Sequence, residues 1–306
     1  MSGIAYLGPE GTFTEAALRA IESNGLIPGL SETVTPIATD STAAALAAVR
    51  AGEAAFACVP IENSIEGSVL PTLDSLAAGS PLQIFAELTL DVAFTIAVRP
   101  GKSADEIRTV AAFPVAAAQV KRWLADHLPK AVLVPAHSNA AAATEVADGR
   151  ADAGVSTALA TARYGLEALA ADVVDEANAR TRFVLVGVPA APPKRTGADR
   201  TSVVLRLENV PGALVAAMSE LSIRDIDLTR IESRPTRVEL GTYMFFLDVV
   251  GHIDDEPVAE ALRALHRRCA DVRYLGSWPT GEAAGTPPPA LDEASAWLDG
   301  LRKGTP

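Results

Sequence analysis

Short apolar runs alternate with helix-forming stretches through the first half of the chain, and this alternation limits the possible folds more than any other feature. Ile4 to Leu7 reads as a strand, Gly8-Pro9-Glu10-Gly11-Thr12 as a turn, and Thr14 to Ser23 as a helix. Thr33 to Ala38 is a second strand, Asp40 or Ser41 caps a helix running to about Ala51, and Ala54 to Pro60 is a short, fully apolar strand. This β-α-β-α-β order predicts a mostly parallel sheet with helices on its faces. The pattern returns with a strand at Thr109 to Ala112, a helix at Val115 to Asp126 and a strand at Ala131 to Val134. A helix from Ala140 to Asp148 capped by Ser138 follows, then a strand at Ala153 to Val155. The long β-rich segment Ile84 to Val98 lies between the two stretches and reads as a connection between two lobes. Two lobes so joined enclose a cleft, a favoured place for ligands.

The stretch Pro189 to Arg200 has the Pro-rich composition of a linker. The unit after it reads strand Thr201–Leu207, helix Gly212–Ile223, strands Leu228–Ser233 and Tyr243–Val250, helix Glu256–Cys269 and strand Val272–Trp278. That β-α-β-β-α-β order is the split βαβ arrangement of a ferredoxin-like fold. The tail from Thr280, rich in Gly, Pro and Ala, is expected to be mobile. Asp292 to Arg302 reads as a short helix with Trp297 and Leu298 on one face.

A length of 306 residues fits two domains, or three lobes. Much of the 49% hydrophobic content is alanine, and no uninterrupted apolar stretch reaches the ~18 residues of a spanning helix. Met1 to Tyr6 has no basic segment followed by an apolar one, so no secretory signal is expected, and the protein is expected to be cytoplasmic. Cys58 and Cys269 lie far apart in apolar settings and read as small buried or half-buried residues. His127, His137, His252 and His266 show no ligand spacing, so neither a metal nor another cofactor is expected. The net charge of −12 and isoelectric point of about 4.8 disfavour nucleic acid and anionic membranes as partners. An acidic protein that binds an anion must use local donors, such as Arg182 and helix N-termini.

The tripeptide Thr181-Arg182-Phe183 opens the apolar run Val184 to Val188. Side by side at the start of a strand stand a hydroxyl, a permanent cation and an aromatic ring. The cation can hold a carboxylate with two hydrogen bonds, the ring can cover a flat apolar ligand, and the hydroxyl can donate to a leaving oxygen. Such a site suits a small carboxylated ring that loses a hydroxyl. A plain strand with one exposed arginine and a core phenylalanine carries the same letters. Arg182 is either a carboxylate anchor or a structural ion pair, and Phe183 either lines a pocket or fills a core. Asn63 and Ser64, after a strand end, offer donors, and Gly67-Ser68 keeps the backbone accessible; the competing reading is a polar turn capping a helix that begins near Ser68. Glu62 either meets the ligand or positions Asn63 or Thr181. Thr12 either helps bind a carboxylate at a positive helix end or serves as an ordinary N-cap. Ser138 and Asn139 stand at a helix start in the second lobe, placed to grip a ligand when the cleft closes.

Four segments together resemble the prephenate dehydratase family. They are Tyr6 to Thr14; Val59 to Val69 with Leu73-Asp74; Tyr164-Gly165-Leu166 leading to Asn178 and Thr181-Arg182-Phe183; and, in the small unit, Asn209 to Leu214 with Glu232-Ser233-Arg234-Pro235. The last pair is similar to an ACT regulatory domain. The likeness spans residues 3 to 279 and is specific as an ordered set. It implies an α/β fold with a two-lobed, periplasmic-binding-protein-like catalytic domain over residues 1–188, a linker at 189–200, a ferredoxin-like ACT domain at 201–279 and a tail at 280–306. The implied activity is the conversion of prephenate to phenylpyruvate, water and carbon dioxide, with Thr181 as the essential catalytic hydroxyl. The ACT likeness implies feedback by phenylalanine bound near Asn209, Pro211, Gly212, Ala213, Leu214 and Val215. Glu232, Ser233, Arg234 and Pro235 would close that pocket, from a neighbouring chain. It also implies a homo-oligomer, a dimer through ACT domains and a tetramer in the family. Many members carry Ser-His-Pro-Gln-Ala-Leu-Ala-Gln-Cys where this chain has Ala112 to Val120, so the histidine and the first glutamine are missing. No chorismate mutase helix bundle precedes Met1, so a single activity is expected. Arogenate as substrate, or a two-lobed anion-binding module without chemistry, are the alternatives.

Overall fold

The computed structural model describes residues 2–29, 34–176, 178–237, 239–281, 284–290 and 292–304. The chain divides into two compact units. One holds the residues up to Ser75 together with Leu88–Val186, the other Leu76–Glu87 together with the chain from Gly187 onward.

The first unit contains two α/β lobes. The first lobe is built from β1 (Ser2–Leu7), α1 (Phe13–Ser23), β2 (Val34–Thr39), α2 (Thr42–Arg50), β3 (Phe56–Asn63), β4 (Gly67–Ser68) and α3 (Leu70–Ala77). Thr33, expected in the second strand, lies outside the described residues. β1 pairs in parallel with both β2 and β3, as the alternating pattern required. Ala57, Cys58 and Val59 of β3 are fully buried, the signature of a central parallel strand covered on both faces. α1 turns Ala17, Leu18 and Ile21 inward and Arg19 and Ser23 outward. Ser41 caps α2 by accepting from Ala44 N at 3.1 Å. β3 runs past Pro60 to Asn63, and Gly67-Ser68 pairs antiparallel with Glu62-Asn63, so the helix expected to begin near Ser68 starts at Leu70.

β5 (Gln83–Asp91) and β6 (Phe94–Val98) form the expected connection. β5 ends the six-stranded sheet of order β2-β1-β3-β11-β5, with β4 attached to β3 and β11 at Arg180–Gly187. β6 begins the second lobe, which continues through β7 (Thr109–Ala112), α4 (Pro114–Gln119), α5 (Lys121–His127), β8 (Val132–Pro135), α6 (Asn139–Ala147), β9 (Ala153–Ser156), α7 (Ala158–Arg163) and β10 (Glu167–Val173). Its sheet has the order β10-β6-β9-β7-β8. β7 is parallel to β8 and β9, whereas β6 is antiparallel to β9 and β10, so this sheet is mixed. The chain crosses between lobes twice, before β6 and before β11. The single helix expected over Val115 to Asp126 is two helices that break at the fully buried Val120. Glu167 to Val173 is made largely of helix formers, yet it pairs with β6; tertiary pairing overrides local propensity.

The second unit carries β12 (Asp199–Arg206), α8 (Ala213–Ser222), β13 (Leu228–Pro235), β14 (Tyr243–Val250), α9 (Glu256–Arg268), β15 (Asp271–Pro279) and α10 (Asp292–Arg302). The sheet order β13-β14-β12-β15, antiparallel throughout, is the ferredoxin-like one. Its core joins Val203, Leu205, Leu247 and Val249 to Ala217, Leu221 and Leu265 of the helices. The Pro-rich segment is tied down: Thr196 N, Thr196 Oγ1 and Gly197 N donate to the Asp199 carboxylate at 2.8 Å, and Pro193 O meets the His252 ring at 2.9 Å. In the tail, Thr286 N donates to Asp227 at 2.9 Å. No helix among the described residues is long and apolar enough to cross a membrane.

Candidate active site

A cavity of about 770 Å³ opens between the lobes of the first unit. From the first lobe, the loop after β1, the end of β2 with Asp40, Pro60 of β3, and Thr181 and Phe183 of β11 line it; from the second lobe come Phe113 and the turn His137-Ser138-Asn139 with Ala141. It lies beyond the carboxyl ends of β1, β2, β7 and β8, where open α/β sheets collect ligands.

Thr181 and Asn63, 118 residues apart in sequence, meet at its edge. Asn63 Nδ2 donates to Thr181 Oγ1 at 2.9 Å. Asn63 Oδ1 accepts from Ile65 N at 2.8 Å and Glu66 N at 3.0 Å. These two backbone donors fix which way the amide faces, since an Asn presents one accepting and one donating end. Thr181 therefore receives a hydrogen bond from behind, and its own proton has no acceptor among the described residues.

The neighbouring candidates serve the frame of the site. Ser64 accepts from Arg180 N at 2.9 Å and donates to Asn178 O at 3.0 Å, tying the end of β3 to the start of β11. Ser64, Gly67 and Ser68, expected to touch ligand, lie outside the cavity lining. Arg182 departs from the anchor reading: it is neither exposed nor in the lining, but buried and paired with Glu62 at 2.9 Å. Glu62 is held by that ion pair and touches neither Asn63 nor Thr181 through a hydrogen bond. Phe183 both lines the cavity and is buried, so both of its readings apply.

Two helix N-termini flank the cavity, one per lobe. Thr12 is the N-cap of α1, accepting from Glu15 N at 3.4 Å and donating to Leu7 O at 3.1 Å. Ser138 caps α6 by accepting from Ala141 N at 2.9 Å, and the buried Oδ1 of Asn139 makes no hydrogen bond. Among the described residues the lining contains no lysine or arginine; its charged members there are Glu10 and Asp40, with His137 the one imidazole. Behind α1, burial and then the charges of Glu15 and Glu10 push the Tyr6 hydroxyl up to about 12. Burial alone would raise the Glu15 carboxyl as well, but hydrogen bonds from Arg163, Gly11 N and Arg19 outweigh it and pull it down to about 2. The thiol of Cys58 is pushed up by burial and is no nucleophile. No group of three or more His, Cys, Asp or Glu among the described residues is placed to hold a metal ion. Residue-level reading missed Phe113 and His137. Phe113 stands where the resemblance leads one to expect the histidine of many members, so the substituted motif was itself the signal; His137 had only its place beside the Ser138 cap.

The ferredoxin-like unit has a smaller cavity, of about 170 Å³, lined by Leu207 to Val210, Ala213 and Leu214 of the turn into α8, and by Gly241, Tyr243 and Phe245. Asn209, Ala213 and Leu214 are thus gathered around one cavity. Pro211 and Gly212 form the turn itself, with Gly212 at φ 81°, a left-handed conformation that favours glycine. Val215 points away and is 70% exposed. Glu232, Ser233, Arg234 and Pro235 lie on β13 opposite Phe246 to Tyr243, outside the lining of this cavity.

The sequence and fold match known proteins along their whole length. A family model for prephenate dehydratase matches residues 4–191, and one for the ACT domain matches residues 201–267. The prephenate dehydratase of Mycolicibacterium vanbaalenii is 76% identical over 312 residues, covering 100% of both chains. The crystal structure of prephenate dehydratase from Arthrobacter aurescens in complex with L-Phe has a TM-score of 0.86 at 41% identity, over 98% of this chain and 99% of that one. GqqA, described as a novel type of quorum quenching acylase, has a TM-score of 0.78 at 30% identity, over 91% of this chain and 98% of that one.

Proposed function

The chain belongs to the prephenate dehydratase family, and from that premise we propose that it turns prephenate into phenylpyruvate, carbon dioxide and water, with phenylalanine as its inhibitor. The observation that carries the reading is the Thr181 hydroxyl, held from behind by Asn63 and facing the cavity with its proton unclaimed.

Prephenate is a dianionic cyclohexadienol one step from aromaticity. The electron pair of its ring–carboxylate bond becomes a ring double bond as carbon dioxide leaves. The carbon–oxygen bond opposite then breaks with its own pair, and the departing oxygen ends as water after taking up one proton. Such a substrate needs no strong nucleophile. It needs orientation, shielding and a donor that strengthens its hydrogen bond as charge builds on the leaving oxygen. Thr181 is too weak an acid to give up its proton early and suits the donor role. A preorganised donor of this kind is typically worth a factor of ~100 to 1,000. Phe183 and Phe113 shield the ring.

The two carboxylates go to the two helix N-termini, one at Thr12 and one at Ser138-Asn139, because the lining offers no permanent cation among the described residues. Arg182 supports β11 through Glu62 and does not hold the substrate directly. In the ACT domain, phenylalanine occupies the cavity at Asn209, Ala213 and Leu214, with Glu232 to Pro235 of a second copy closing it; the L-Phe complex of the Arthrobacter relative supports phenylalanine as the ligand. Phenylalanine acts by favouring one arrangement of a homo-oligomer, a dimer through ACT domains that pairs into a tetramer. Formation of phenylpyruvate from prephenate by the purified protein, with and without phenylalanine, tests the reading. Turnover suppressed by phenylalanine is expected. Turnover of arogenate alone, or none of either, overturns it.

A further inference from the structure

The N-terminal turn of α1 does not stand alone at the cavity. Three points on α7, in the other lobe, grip it. Thr157, the N-cap of α7, donates to Gly11 O at 2.6 Å. Ala160 packs so closely on Gly11 (φ +87°) that a Cβ there would lie 2.9 Å from the Ala160 Cβ. Arg163, the last residue of α7, donates with both terminal nitrogens to the two carboxylate oxygens of Glu15, at 2.8 and 2.7 Å. It also reaches Glu10 at 3.2 Å. Glu15 is 1% exposed and in turn accepts from Gly11 N at 2.6 Å and from Arg19 at 2.6 and 2.9 Å. The cluster stays charged through the neutral range, because those hydrogen bonds hold the Glu15 carboxyl near 2.

A buried carboxylate in the first turn of α1 would by itself repel an anion arriving at the same helix end. Arg19 and Arg163 offset that charge, and of the two only Arg163 belongs to the second lobe. We propose that Arg163 is a positioning residue for the dehydration: through Glu15 it clasps the first turn of α1 to the second lobe, sets the spacing of the two helix N-termini that hold the substrate carboxylates, and cancels the charge that would oppose them. The inference rests on the dehydratase reading above. It gives the stretch just before Tyr164-Gly165-Leu166 a role in the reaction, where otherwise it would only fill space.

The test is steady-state turnover of prephenate by full-length wild type, Arg163→Lys, Arg163→Met and the double variant Glu15→Gln/Arg163→Met, with thermal unfolding of each. For Arg163→Met, kcat/KM should fall about 100-fold, mostly through KM, as for a misplacement of about 1 Å. Lysine, which keeps the charge but not the two-pronged geometry, should fall in between. Guanidinium chloride, compared with sodium chloride at equal ionic strength, should restore Arg163→Met by about tenfold or more, since it refills a two-pronged site. A structural role alone would lower the melting temperature and leave KM and the guanidinium response flat; that result overturns the proposal. Should Arg163→Met fail to fold, the double variant, which buries no unpaired charge, decides. It must still lie about tenfold or more below wild type, and wild-type kinetics in it overturn the clasp. A wild type inactive on prephenate refutes the dehydratase reading and the clasp with it, whereas an active wild type with unaltered variants refutes the clasp alone.

Discussion

Replacing Asn63 by aspartate changes one atom and almost no volume, which makes Asn63→Asp the sharpest probe of how Thr181 is oriented. Two backbone donors, Ile65 N and Glu66 N, hold the Oδ1 side and would favour the ionised carboxylate. The other oxygen would then face Thr181 Oγ1 from 2.9 Å, where Nδ2 now donates. Two acceptors cannot face each other, so the threonine proton turns back toward the carboxylate and away from the cavity. The donor to the leaving oxygen is lost. A full negative charge also sits one hydrogen bond behind that hydroxyl, about 5.5 Å from the leaving oxygen. At an effective dielectric constant of about 20, that charge opposes the developing one by about 3 kcal/mol, a factor of about 100. Together with the misdirected donor, the loss in kcat for phenylpyruvate formation should be about 1,000-fold or more. Asn63→Ala removes the donor without adding charge and should be milder, about 10- to 100-fold. Circular dichroism would show that both variants are folded. An aspartate variant within about tenfold of wild type, or one faster than the alanine variant, would refute the reasoning.

Other consequences follow from named contacts. Arg182→Met should lower the urea midpoint by the equivalent of about 1 kcal/mol or less, because Glu62 loses its charged partner but stays partly solvated; a raised KM with unchanged stability would instead restore the anchor role. The Glu15 carboxyl lies lower in the folded protein, at about 2, than in the unfolded chain, at about 4.3. The unfolded chain therefore takes up that proton first, and the stabilisation, about 3 kcal/mol, is complete above about pH 5 and fades as the pH falls toward 2. Acid unfolding of Glu15→Gln should lack that part of the slope, and an unchanged acid limb would contradict the assignment. Ala213→Leu should fill much of the 170 Å³ cavity and raise the phenylalanine concentration needed for half inhibition about tenfold or more; unaltered inhibition would move the effector site elsewhere.

Much of the frame could be read directly. The strands at Ile4, Ala57 and Val110 are apolar runs bounded by turn residues, and Ser41 and Ser138 announce the helices they cap. The ferredoxin-like order was legible because each element has a clean period. Local reading failed where partners distant in sequence decide the outcome. Glu167 to Val173 carries helix formers, reads as no element in the sequence, and forms a strand paired with β6. Arg182 read either as a carboxylate anchor or as a structural ion pair until Glu62, 120 positions earlier, supplied its partner. Asn63 and Ser64 were candidates of equal standing; contacts from Thr181 and from Asn178 and Arg180 send one to the site and the other to the frame. The clasp of Arg163 on Glu15 has no local signature, since its two partners lie 148 positions apart.

The most direct measurement compares phenylpyruvate formation by wild type, Thr181→Ser and Thr181→Val. Valine keeps the shape and loses the hydroxyl; serine keeps the hydroxyl and loses a methyl group. The account predicts that valine costs a factor of ~100 to 1,000 in kcat while serine stays within about tenfold of wild type. A folded valine variant that turns over prephenate as fast as wild type would contradict it.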